Sequence, residues 1–141
     1  MKKDQGFSLI ELLIVVLIIG VIAAVAIPGL QKARRYAQSG SAIQSLRTIT
    51  TAQILYQRRY NVYGSLPALA PEGTIDPSLG VGDKSGYTFT LILSADLKHF
   101  TCNADPQSDP VTGDFFFVDE TTVIRSNTGS PADATSPPIP R

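Results

Sequence analysis

The chain has 141 residues, twelve Lys and Arg balanced by twelve Asp and Glu, a formal net charge of zero and a single cysteine. That length holds one anchoring segment and one small domain, not a second core. With no dense basic block beyond the first few residues, nucleic acid is not an obligatory partner. Cys102 alone excludes an intramolecular disulfide and a zinc site built on cysteines, and reads as a small buried residue.

Residues 7–27 form an apolar run interrupted by one charge, Glu11. As a helix the run spans about 31 Å, close to the roughly 30 Å hydrocarbon core of a bilayer. Lys2, Lys3 and the initiator amine precede it, so residues 1–6 are expected on the cytoplasmic side. A carboxylate at a helix centre in lipid costs roughly 2.5 to 3.5 kcal/mol on insertion scales, which makes Glu11 a functional position by default. A plain single-pass anchor leaves it without a role. So does a secretory signal with "LLIVVLIIGVI" as its apolar region and cleavage after Ala26, which would release a periplasmic binding protein or enzyme.

The stretch "GFSLIE" followed by the long apolar run resembles the class III signal of type IV prepilins and the related pseudopilins. The resemblance implies a leader, residues 1–6, removed between Gly6 and Phe7 by a membrane prepilin peptidase that also N-methylates Phe7. The helix then stays on the protein. It also gives Glu11 a partner: cleavage creates an amine on Phe7, and two opposite charges in an apolar environment each need the other. In the family the pair is proposed to form as a subunit docks onto a growing filament. A cytoplasmic ATPase, acting indirectly, and an inner-membrane platform protein are implied partners, as is a homo-oligomeric helical filament. The precursor is expected in the bacterial inner membrane and the product in a pilus at the cell surface, with adhesion, twitching motility or DNA uptake as the implied uses. A type II secretion pseudopilin is the alternative, although the Asp-Asn-Gly stretch typical of major pseudopilins is replaced here by "QRRYNVYGSLPAL".

Gly20 and Pro28 are the positions at which helix distortion is expected, because Pro28 lacks an N–H and its ring crowds the Ala24 carbonyl. Beyond Pro28, Leu30, Ala33, Tyr36, Ile43, Leu46, Ile49, Ala52, Tyr56 and Tyr60 recur at steps of three and four, which predicts an amphipathic helix over 29–60. Its polar face carries Arg34, Arg47, Gln53 and Arg58, among others. Residues 61–86, dense in Gly, Pro, Ser and Asp, read as a loop.

Strand signals fill residues 87–125: "YTFTLIL", "HFTCN", "DFFFVD" and "TTVIR", the last two flanking a turn at Asp119 to Thr121. Residues 126–141, rich in Pro, Ser and Ala, read as a tail with little capacity to pack. The expected fold is α+β and pilin-like, a long N-terminal helix whose amphipathic half packs on a small antiparallel sheet, with residues 29–141 as the head.

Enzymatic readings are weak. His99 and Cys102 are three apart, so a strand points them to opposite faces, and no orienting third group follows. Asn103, Asp105, Asp109 and Asp114 offer oxygen ligands for calcium, but their spacing does not match an EF-hand loop. The chain is therefore read as non-enzymatic, without cofactor or metal.

Overall fold

A computed structural model describes residues 6–140, and the chain divides into two compact units, residues 1–36 and 37–141. Helix α1, Leu9–Tyr60, is 52 residues long, about 78 Å at 1.5 Å per residue. In the first unit its side chains stay exposed from Leu9 to Tyr36 apart from a half-buried Ala23. Among the described residues it is the one helix long and apolar enough to cross a membrane. The helix runs without a break through Gly20 and Pro28. A proline removes a single hydrogen bond, and the rungs on either side hold the backbone.

In the second unit α1 turns one stripe inward. Ala42, Leu46, Ile49 and Ala52 are buried at helical spacing and share a core with Tyr87, Phe89, Cys102, Ala104, Phe116 and Val118 of the sheet. The sheet is an antiparallel meander in the order β1 (Asp83–Lys84), β2 (Tyr87–Leu93), β3 (Phe100–Pro106), β4 (Asp114–Asp119) and β5 (Arg125–Thr128). The alternation of "YTFTLIL" is reproduced in burial, Tyr87 and Phe89 inside, Thr88 and Thr90 outside. β1 and β2 are joined by Ser85 and Gly86, both at positive φ, 54° and 79°, the conformation a two-residue hairpin turn demands.

The fold is the expected α+β arrangement, a long helix with a small antiparallel sheet, and it corrects five details. Residues 61–86 are not simply loop: they contain α2 (Leu66–Leu69), a 3₁₀ turn (Ala70–Glu72), α3 (Pro77–Val81) and β1. Asp76 caps α3, accepting from the Leu79 N–H at 2.9 Å and binding Lys84. β3 runs on to Pro106, beyond "HFTCN".

The last strand is Arg125–Thr128 rather than "TTVIR". Asp119 accepts from the Thr121 N–H and Thr122 sits at φ 65°, so the turn consumes the first half of that segment. The tail packs. Ala132 closes over Phe115 and Phe117 on the sheet face away from α1, and Asn103 donates to the Ala132 carbonyl at 2.8 Å. Ser126 N–H and Ile139 N–H bond Pro137 and Ile124 carbonyls, laying the tail beside β5.

Gln53 was expected on the polar face of α1 and is instead completely buried. Its side-chain amide donates to the Gly64 carbonyl at 2.6 Å and accepts from the Gly64 N–H at 2.9 Å. Both amide ends are matched, which is the condition for burying a polar group without a large penalty. The contact ties the chain leaving α1 back onto the helix.

Candidate processing and assembly site

The processing positions lie where α1 begins. Gly6, Phe7 and Ser8 precede the helix in non-helical conformation and are exposed, Phe7 at 77%. A Cβ placed on Gly6 would meet nothing within 4 Å. The first helical hydrogen bond runs from the Leu12 N–H to the Ser8 carbonyl, at 3.2 Å, which makes Ser8 the N-cap residue. Residues 1–5 of the expected leader, Lys2 and Lys3 included, lie outside the described residues.

Glu11 has a contact that the sequence reading missed. Its Oε2 accepts from the Ser8 backbone N–H at 2.9 Å. Ser8-x-x-Glu11 is thus the backbone half of a capping box: a carboxylate at the third helical position reaches back to satisfy an N–H that the helix cannot pair. The spacing of Ser and Glu just before an apolar run is the signal that could have revealed it. A negative charge in the first turn is also favoured by the helix dipole. The site therefore holds one carboxylate, oriented toward the start of the helix, in the turn immediately after the Gly6–Phe7 bond.

The other residues singled out in the sequence do not form a reactive centre. Cys102 is buried, and burial pushes its thiol up to about 12, so it stays protonated at neutral pH. His99 is exposed, its Nδ1 2.9 Å from Glu120. Three of the four calcium candidates are separately engaged: Asn103 with the tail, Asp109 with Thr112, Asp114 with Thr128. Among the described residues the buried Oδ1 of Asp105 has no hydrogen-bond partner, and burial raises its carboxyl. Among the described residues no three acidic, His or Cys side chains group as metal ligands.

A family model described as the prokaryotic N-terminal methylation motif matches residues 1–27. The chain is 38% identical over 73 residues to the type IV major pilin protein PilA of Myxococcus xanthus, an alignment covering 50% of this chain and 33% of that protein. It is 43% identical over 65 residues to the type IV wide pilus major component PilA4 of Thermus thermophilus, with 46% and 50% covered. It is 29% identical over 89 residues to the type II secretion system core protein G of Pectobacterium carotovorum, with 60% and 57% covered. The chain spans less than two thirds of the length of each of these relatives. No solved structure matches it significantly. The class III methylation signal and the resemblance to type IV pilins stand on these matches together with the long-helix and sheet fold.

Proposed function

We propose that this protein is a structural subunit of a type IV pilus: a prepilin cleaved between Gly6 and Phe7, N-methylated on Phe7, held in the inner membrane by α1 and then polymerised. One observation carries the reading. α1 presents an unburied apolar surface from Leu9 through Leu30, its one charge a carboxylate in its first turn, and the same helix ends inside a packed α+β head. Such a surface needs either lipid or copies of itself.

Transfer from lipid to a bundle of like helices gains little hydrophobic free energy, because lipid is already apolar. Burial is worth about 25 cal/mol per Å² only where the helix leaves water. Assembly therefore draws on outside energy, which the ATPase and platform protein supply in this reading. Glu11 selects register: in the filament it meets the Phe7 amine of its own or a neighbouring chain, exchanging the Ser8 N–H for a full charge. Gly20 and Pro28 are the points at which α1 yields as helices pack.

A pseudopilin is the second reading, favoured by the alignment to core protein G, which covers 60% of this chain. Intact mass and the N-terminal peptide of the native protein decide between them. A chain beginning at methylated Phe7 and dominating the sheared surface fraction is the expected result. The same chain confined to membranes would favour the pseudopilin, and a start at Ile27 would overturn both.

A further inference from the structure

Charge is segregated along this neutral chain. α1 holds six Lys and Arg against the single acid Glu11, while residues 61–141 hold ten Asp and Glu against four Lys and Arg. Within the second unit, the solvent stripe of α1 is formed by Gln44, Arg47, Thr51, Ile54, Leu55 and Arg58, all exposed. Arg47 and Arg58 lie eleven residues apart, about 16 Å along the axis and almost in line. Between them Ile54 and Leu55 leave 39% and 48% of their surface in solvent. Among the described residues neither arginine has an acidic partner, whereas the neighbouring Arg59 is paired with Glu72 at 2.6 Å.

One end of the sheet has the opposite character. Asp83 and Asp105 share a cross-strand row through Thr88, roughly 10 Å apart across two strand spacings. The connection from β3 to β4 brings Asp109 and Asp114 to the same end, with Val111 76% exposed between them. Burial alone raises the Asp105 carboxyl, with no cation contributing. An apolar centre rimmed by arginines therefore exists on one surface, and an apolar centre rimmed by carboxylates on another. Interface cores combine aliphatic contact with arginine and complementary charge in this manner.

We propose that the Arg47–Arg58 stripe of α1 in one copy docks on the Asp83, Asp105, Asp109, Val111 and Asp114 end of the sheet in a second copy. The two surfaces differ, so the contact is heterologous, and within the proposed filament it repeats from copy to copy without closing. The inference rests on the filament reading and adds the head contact that sets neighbouring subunits in register.

Disulfide trapping in native filaments tests it. The chain's own Cys102 is buried, so Thr51→Cys and Val111→Cys introduce the only accessible thiols. Oxidised filaments of the double variant should give a ladder of covalent oligomers on a non-reducing gel, and each single variant should give at most dimers. Filaments without a ladder would overturn the contact while leaving the filament reading intact. An unaltered protein that forms no filaments would overturn that reading instead. If the cysteine variants do not assemble, Arg47→Glu with Arg58→Glu should lower sheared filament at least ten-fold with leader removal and membrane level unchanged. Undiminished filament yield from that variant would equally overturn the inference.

Discussion

The two halves of α1 have the same secondary structure for different reasons. From Leu9 to Tyr36 the side chains of the helix are exposed apart from a half-buried Ala23, and its own hydrogen bonds, its helix-forming Leu and Ala residues and the Ser8–Glu11 cap support it locally. From Ala37 to Tyr60 the helix is fixed by tertiary contact, through the Ala42, Leu46, Ile49 and Ala52 stripe and the Gln53 bonds to Gly64. A substitution in the first half should therefore register in assembly and leave the fold untouched. One in the second half should register in stability.

The largest expected effect tests the first half. Glu11→Leu removes the carboxylate without shortening the helix, and in the proposed filament it leaves the Phe7 amine unpaired. We expect sheared filament to fall by two orders of magnitude or more, with membrane insertion, leader removal and head melting temperature unchanged. Glu11→Gln separates the two contacts of the site. Its amide oxygen still accepts from the Ser8 N–H but carries no charge, so filament recovery with Gln would assign the effect to capping rather than to charge pairing.

Next come the buried positions of the second half. Leu46→Ala should destabilise the head by about 2 to 5 kcal/mol, the usual cost of a fully buried leucine, because Leu46 has no exposed surface. Ile18→Ala, at a position 51% exposed in the single chain, should move head stability by less than about 0.5 kcal/mol. Denaturant unfolding of the detergent-solubilised protein measures both. Equal losses would dissolve the distinction between the halves.

Gln53→Leu sharpens the comparison further. It is apolar and one heavy atom smaller, and it strands the N–H and carbonyl of Gly64, so a loss of about 1 to 3 kcal/mol is expected. A neutral result would mean that water reaches Gly64 and that Ala42, Leu46 and Ile49 alone hold the helix.

This same contrast explains what was legible in the sequence. The amphipathic spacing and β2 depend on periodicity, and the apolar run and β4 on continuous apolar stretches, both of which short segments record. The ranges Tyr87–Leu93 and Asp114–Asp119 match "YTFTLIL" and "DFFFVD" residue for residue. Gln53 follows the spacing of the buried stripe, four residues after Ile49, but its polarity assigned it to solvent, and only the fold brings Gly64 to it. β5 and the tail defeat composition: "RSNT" has no apolar alternation, and it is a strand because β4 offers an edge.

Ala132 is buried because Phe115 and Phe117 need a cover on the face away from α1, a demand made by β4 rather than by the tail. In the site, Gly6, Phe7 and Glu11 stood out as a motif, whereas the capping geometry of Glu11 required attention to Ser8. Their proposed roles in processing and assembly rest on the motif and its relatives.

The smallest expected effect concerns two carboxylates of the head that should respond to acid in opposite directions. Asp76 is lowered from 3.8, first by Lys84, then by Ser78 and the Leu79 N–H. A lowered folded value means that the unfolded state binds the proton first. The stabilisation is present above the unfolded value and is lost as pH falls below it toward the folded one.

Asp105 is raised from 3.8 by burial, so its ionised form costs stability at neutral pH and protonation relieves that cost on the way down to the unfolded value. Melting temperatures across a descending pH series should therefore show Asp76→Asn less stable than the unaltered protein at neutral pH, the gap closing below about pH 4. Asp105→Asn should show the reverse gap at neutral pH, also closing on acidification. Both effects are modest, since Asp76 is well exposed and solvent screens its pair with Lys84. Parallel rather than converging curves would assign Asp76 to geometry alone, as the cap of α3, and would leave Asp105 without the desolvation that its buried Oδ1 implies.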